Sequence, residues 1–480
     1  MRLLSLCVTL AISPLGAQLV AQEAAPTDFE GSWLGTMNAG GAQLRMRIDL
    51  TVEDGALGAR MFSVDQGNAE IPVESATVAG GTLSLTMPMI GGSYEGTLSD
   101  DGQTIDGTFQ QMGAELPLVL ERMEGDEPDA GRPQDPVEPY PYVAEDVRYP
   151  NPDGGHELAG TFTRPSDGGP FPAVILITGS GPQNRDEALL GHRPFLVLSD
   201  HLTRRGIAVL RFDDRGVGES TGDHAAATSS DFASDALAGV AYLKTRDDVD
   251  PAAIGLAGHS EGGLIAPIAA TRSDDVSYIV LMAGTGVNGE RILYAQGALI
   301  NRAAGATEEQ IERNQELQRA MFEILKSEPD PERAAAVLTE TVRTAFEAMP
   351  DAQRAQAGIT DDESLDRVVN MQVTQFNTPW FRYFLTYEPA TVIEQVTVPV
   401  LAINGEKDLQ VPYEENLREI EAALHRGGNT NYEIHALPDL NHLFQHSETG
   451  APSEYATIEE TWSVDVMELI ADWILRTTGR

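Results

Sequence analysis

Apolar and polar positions follow two different periods along this chain. From about Gly31 to Arg122 they alternate. Leu44, Met46, Ile48, Leu50 and Val52 interleave with Arg45, Arg47, Asp49 and Thr51, the period-2 pattern of a half-buried strand. Asp54-Gly55, Gly80-Gly81 and Asp101-Gly102 mark hairpin turns between such runs. About eight short strands are expected, which predicts a small antiparallel β-barrel or sandwich over residues 28–123. Ser63 to Gly67 read as a polar, hydrogen-bonded loop, and no catalytic cluster falls in this part. Residues 124–142 carry several prolines and acids without an apolar period and read as a semi-extended linker.

Over residues 143–480 the pattern changes to apolar runs separated by helical stretches. Val143 to Tyr149 and Glu157 to Thr163 read as two antiparallel strands. Phe171 to Ile177 is continuously apolar, as a strand buried on both faces requires. A helix over about 194–205, the strand Ile207 to Phe212, a helix over about 231–244, a strand running into Gly258, a helix from Leu264 and the strand Tyr278 to Ala283 follow. This alternation predicts an α/β fold: a mostly parallel sheet with helices on both faces and right-handed crossovers. From about 289 to 388 the period becomes purely helical. Thr307 and Gln310 form a capping box, and Ile311, Leu317, Met321 and Leu325 share one face. Such an insertion at the strand tips would form a helical cap over a site. The aromatic run Trp380 to Phe384 closes it and reads as packing that could also wall a pocket. The sheet resumes with Val398 to Ile403 and Tyr432 to Ala436, around a helix over about 413–425. A last amphipathic helix carries Val466, Leu469, Ile470 and Trp473.

A length of 480 residues allows roughly two or three domains. The net charge of -42 repels phosphate backbones, so no nucleic-acid partner is expected. Residues 1–22 read as a signal peptide: Arg2 supplies the charge, Leu3 to Leu15 the short apolar core, and Ala17 and Ala21 the small residues near a cut. An exported protein, periplasmic or secreted and without stable membrane insertion, is expected. The only cysteine, Cys7, lies in this leader, so neither a disulfide nor thiol chemistry is expected afterwards.

The candidate chemistry centres on Gly258-His259-Ser260-Glu261-Gly262, where a strand meets a helix through a tight turn with Ser260 at its tip. That is the setting of a nucleophilic serine. A serine hydroxyl needs a base, and the base needs an orienting acid. Of nine histidines, His442 lies in the loop after the last strand, where the chain order serine, acid, histidine places a base; His446 is the nearest competitor. Asp408, between Gly405 and Pro412, is the candidate acid, with Asp439 and Glu406 as alternatives. The oxyanion needs two N–H donors. Glu261 would supply one, and the turn after Ile177 the other, with Ser180 the choice and Gly179 or Gly181 the alternatives. No Gly-Lys-Ser/Thr follows that turn, which argues against a phosphate-binding loop. No metal-ligand cluster and no nucleotide fingerprint is present, so neither metal nor cofactor is expected.

Together Gly258 to Gly262, Asp213-Asp-Arg-Gly-Val-Gly-Glu-Ser220, Gly405-Glu-Lys-Asp408 and Asn441-His442 resemble the α/β-hydrolase superfamily. Gly179 to Asp186 is similar to a secreted or periplasmic bacterial serine esterase group that also carries an N-terminal β domain. The resemblance implies Ser260 as nucleophile, Asp408 as acid and His442 as base, with activity on carboxylic esters of short acyl chain. A small-molecule ester is thus the expected partner. The His-Gly pair common before the oxyanion turn is Thr178-Gly179 here. An amidase, exopeptidase or thioesterase using the same triad, and a non-catalytic binding protein on this fold, are the competing expectations. The oligomeric state is left open.

Overall fold

The computed structural model describes residues 24–39, 42–53, 56–64, 69–99, 101–111, 114–123, 132–356, 359 and 361–480. The expected signal peptide, the Asp54-Gly55 turn, residues 65–67 of the polar loop and the first part of the expected linker lie outside these residues.

Ten strands rather than about eight build the first sheet among the described residues: β1 (Gly31–Ala39), β2 (Ala42–Glu53), β3 (Ala56–Ser63), β4 (Ala69–Ile71), β5 (Ser75–Ala79), β6 (Thr82–Met87), β7 (Gly92–Leu98), β8 (Thr104–Gln111), β9 (Ala114–Pro117) and β10 (Leu120–Arg122). The extra ones are short. β4 and β10 have three residues each, too few for alternation to reveal them. The order is β4-β3-β2-β1-β10-β8-β7-β6-β5, with β9 beside β8, and every pairing is antiparallel. The sheet curls like a barrel around Trp33, Met46, Ile48, Leu50, Leu85, Tyr94 and Phe109, so the alternating face of β2 does point inward.

Among the described residues the second sheet has eight strands: β11 (Tyr142–Asn151), β12 (His156–Pro165), β13 (Phe171–Ile177), β14 (Ala208–Phe212), β15 (Val249–His259), β16 (Tyr278–Met282), β17 (Val400–Gly405) and β18 (Tyr432–Leu437). Their order is β11-β12-β14-β13-β15-β16-β17-β18. β11, β12 and β14 pair antiparallel, and all pairings from β14 through β13 to β18 are parallel. Every residue of β13 is buried, the reason its sequence is uninterruptedly apolar. One face packs under α1 (Pro194–Arg204) and the C-terminal helix. The other packs under α2 (Ser229–Leu243) and α3 (Gly262–Arg272). The chain leaves β13 toward β14 on one side and returns as β15 on the other. That reversal of direction opens a crevice at the carboxyl ends of β13 and β15.

Between β16 and β17 the chain makes the expected helical cap: α4 (Gly289–Ala303), α5 (Glu308–Ser327), α6 (Pro331–Glu347), α7 (Asp351–Gln356), α8 (Asp362–Phe376) and α9 (Pro379–Thr386). Thr307 caps α5 with Gln310, and Ile311, Met321 and Leu325 are buried. Phe322, Leu338, Val342, Val369 and Phe381 give the cap a core of its own. The helices α10 (Pro389–Ile393), α11 (Tyr413–Arg426) and α12 (Val464–Thr477) complete the chain. Among the described residues no helix is long and apolar enough to cross a membrane.

Residues 132–135 of the expected linker are pinned to the second sheet's surroundings. The Arg132 guanidinium donates to the carbonyls of Leu190, Gly191, Ala456 and Ile458, and Gln134 bonds Thr461 and Trp462.

Candidate active site

Strand β15 ends at His259, and Ser260 follows with φ 52°, in the left-handed region. A non-glycine residue is uncommon there and persists only when its surroundings hold it. The Ser260 N–H donates to the Met282 carbonyl at 2.8 Å, and its own carbonyl accepts from Gly263 N–H at 3.0 Å. The glycines around it are required by space. A Cβ on Gly258 would stand 1.9 Å from the Gly262 carbonyl oxygen, and one on Gly262 would stand 2.1 Å from that of Ile177. The turn is thus wedged between β13 and the start of α3.

Asp408 follows β17 and is buried. Its Oδ1 accepts the backbone N–H groups of Gln410 and Val411 at 2.7 and 2.8 Å, and its Oδ2 lies 2.7 Å from Nδ1 of His442. An acceptor-only carboxylate there makes Nδ1 the protonated nitrogen of the imidazole and leaves Nε2 with a free lone pair. The loop carrying His442 is held by Asn441, whose Oδ1 accepts from Leu443 and Gln445 N–H. The competitors lie elsewhere. Asp439 is exposed and paired with Lys407, and His446 is bound to Glu460 on the surface. Ser260 and His442 share no hydrogen bond among the described residues. The loop carrying His442 instead meets the serine turn through His259, whose Nε2 lies 2.9 Å from the His442 carbonyl oxygen.

Ser180, Ser260 and Glu261 line one cavity of about 80 Å³ together with Thr285, Ile292, Leu293, Gln296, Trp380, Phe384, Gln410 and Val411. Of the three candidate donors after Ile177, the sequence reading favours Ser180 over Gly179 and Gly181. The Gly179 N–H is spent on Glu187 Oε1 at 2.7 Å, and Gly181 lines a neighbouring, smaller void instead. Glu261 stands at the start of α3. Its side chain turns inward, where Oε1 accepts from Ser229 Oγ and Trp380 Nε1, each at 2.6 Å. Burial raises the Glu261 pKa from its ordinary value, and these two hydrogen bonds oppose the rise only in part. Trp380 stacks on Phe384 at 5.2 Å between centroids, so the aromatic run is both cap packing and cavity wall. Sequence reasoning missed Thr285, Gln296, Gln410 and Glu187. They sit in helices or loops with no motif of their own, and only folding brings them to the crevice.

The polar run Asp213 to Ser220 is not part of the cavity. Asp213 binds Arg185 through both carboxylate oxygens, at 3.1 and 2.7 Å, and so ties the turn after β14 to the loop after β13. Among the described residues no group of acids, histidines or cysteines is arranged to hold a metal ion.

Comparison with known proteins places residues 174–457 on the model of the alpha/beta hydrolase family. A curated relative, esterase EstD of Thermotoga maritima, is 26% identical over 348 residues, covering 71% of this chain and 70% of the relative. Among solved structures, a Pyrococcus furiosus esterase aligns with a TM-score of 0.40 and 17% identity over 70% of this chain and 92% of its own. Est1E of Butyrivibrio proteoclasticus, with ferulic acid bound, aligns with a TM-score of 0.38 and 18% identity over 70% of this chain and all (100%) of its own.

Proposed function

The chain belongs to the alpha/beta hydrolase family, and from that premise we propose that it is a serine carboxylesterase acting through an acyl-enzyme on Ser260. The observation that carries the reading is Ser260 itself: a serine strained to φ 52° at the lip of a cavity, beside the loop that bears the Asp408–His442 pair. The name of the Thermotoga maritima relative supports the ester-cleaving class.

In this reading His442 Nε2 takes the Ser260 hydroxyl proton as Oγ attacks the ester carbonyl carbon. Asp408 keeps the proton on Nδ1 and stabilises the imidazolium. The carbonyl oxygen, now an anion, accepts from the backbone N–H groups of Glu261 and Ser180. His442 gives its proton to the departing alkoxide, and the alcohol leaves. Water, deprotonated by His442, then attacks the acyl-enzyme by the same route and frees the acid. The apolar wall of Ile292, Leu293, Trp380, Phe384 and Val411 and the small volume suit short to medium acyl groups. An exopeptidase would need a free carboxylate or cation to grip a peptide terminus. Among the described residues the one carboxyl in the cavity wall, Glu261, is already engaged by Ser229 and Trp380, which favours the ester over the peptide. A thioester would fit the same steps.

The test is hydrolysis of p-nitrophenyl acetate and labelling by a fluorophosphonate, each with Ser260→Ala beside the parent. Loss of both in the variant supports the reading, and undiminished turnover by Ser260→Ala rejects it. We further infer export to the periplasm or medium, supported by the apolar run after Arg2. Recovery of the intact chain, leader included, from the cytoplasm alone would reject that.

A further inference from the structure

His259 precedes the serine and has no part in the steps above, yet both of its ring nitrogens are engaged and its side chain is buried. Nε2 lies 2.9 Å from the backbone carbonyl oxygen of His442. A carbonyl only accepts, so Nε2 carries a hydrogen. Nδ1 lies 2.9 Å from Glu187 Oε1, and the same oxygen takes the Gly179 N–H at 2.7 Å. An Oε1 that already takes the Gly179 N–H acts as an acceptor, so Nδ1 faces it with a hydrogen as well. The ring is an imidazolium held against a carboxylate, in side chains 6% and 5% exposed.

The groups facing this ring come from three elements. Glu187 approaches from the loop after β13. The His442 ring approaches from the loop after β18, at 4.8 Å between centroids, with the edge of Phe444 at 6.2 Å. The Asp408 carboxylate acts from behind His442. Burial by itself lowers the His259 pKa, but the Glu187 charge and hydrogen bond outweigh it, helped by the His442 carbonyl and Asp408, and leave the pKa raised.

A buried ion pair is a costly device, since desolvation consumes much of the attraction. What this one accomplishes is geometric. Glu187 fixes the Gly179 N–H, one residue before Ser180. His259 fixes the His442 carbonyl and directly precedes Ser260 in the chain. We propose that His259 and Glu187 form a positioning pair for the reaction, holding the oxyanion turn and the base-bearing loop in register with Ser260. By drawing off the Gly179 N–H, the pair also leaves Ser180 N–H to face the oxyanion. This rests on the serine-esterase reading of the site.

The test uses the full chain as Glu187→Gln, His259→Gln and the double variant, assayed with p-nitrophenyl acetate. A displacement of the reacting groups by about 1 Å costs on the order of 100-fold, so kcat should fall by about that factor. KM should stay within about two-fold. The double variant should be no worse than the poorer single one, because the two act as one group. Single variants with parental kcat, or a change confined to KM, overturn the proposal. A second measurement does not depend on turnover. In nitrogen-15 spectra of the parent at neutral pH, both His259 ring nitrogens should be protonated, and one should lose its proton in Glu187→Gln. A neutral His259 in the parent overturns the pair even where esterase activity is present. A parent that neither hydrolyses the ester nor takes the fluorophosphonate defeats the esterase reading instead, and the ring-nitrogen spectrum then decides the ion pair by itself.

Discussion

Asp408 and His442 are joined by a 2.7 Å hydrogen bond, and the second oxygen of the carboxylate is closed by two backbone N–H groups. Both carboxylate oxygens are thereby engaged, which resists rotation of the acid, and the imidazole has one tautomer available. Replacing Asp408 by Asn would keep the shape and offer an amide N–H to Nδ1, which favours the wrong tautomer. We expect kcat on a nitrophenyl ester to fall by about 10⁴ with KM nearly unchanged. A loss smaller than about ten-fold in steady-state rates would show that another group orients His442.

The serine turn has no room for a side chain at Gly258, where a Cβ would meet the Gly262 carbonyl oxygen at 1.9 Å. Backbone cannot swing aside as a flexible side chain can. Gly258→Ala should therefore cost about 3 kcal/mol or more, read as a fall in the urea midpoint at unchanged slope. Gly305, where an added Cβ meets nothing within 4 Å but φ is +84°, serves as a comparison, since only backbone strain acts there. A Gly258→Ala chain as stable as Gly305→Ala would contradict the packing described.

The raised pKa of Glu261 makes stability depend on pH in a defined direction. Burial favours the protonated carboxyl, so the folded chain holds this proton more tightly than the unfolded one. The contribution is fully present below the ordinary value of 4.5 and is lost as pH rises through the raised folded value. Glu261→Gln cannot ionise, and its amide oxygen can still accept from Ser229 and Trp380. Its melting temperature relative to the parent should climb as pH is raised from about 4.5 toward neutrality. A difference that stays flat over this range would show that Glu261 is solvated in solution.

Trp380 contributes both a cavity wall and the N–H that reaches Glu261. Trp380→Ala should enlarge the space beside Ser260. The expected result is a shift of preference toward longer chains, seen as at least a ten-fold rise in the octanoate-to-acetate ratio of kcat/KM. One methylene in an apolar pocket is worth roughly 1–3 kcal/mol, and several are at stake. An unchanged ratio would place the acyl group elsewhere. Trp380→Phe keeps the wall and removes only the N–H, so it should alter the Glu261 pH response far more than the acyl preference.

Much of the architecture was legible in the chain because each signal is local. The uniform apolarity of Phe171–Ile177 announces a doubly buried strand, alternation in β2 announces a half-buried one, and Thr307 with Gln310 marks where a cap helix begins. The shortest strands of the first sheet, β4 and β10, escaped because three residues cannot display a period. Ser260, Asp408 and His442 could be named as candidates since each follows a strand in a turn of recognisable composition.

Sequence alone determined the types of element, their order and which loops could carry chemistry, because propensity and periodicity act over a few neighbouring residues. Tertiary structure decided the contacts. It set the imidazole of His442 on Asp408 rather than Asp439, spent the Gly179 N–H on Glu187, and turned the Glu261 carboxyl inward to Trp380. Those choices join groups from 8 to 119 residues apart along the chain. Their energies come from burial and charge pairing that exist only once the strand tips converge.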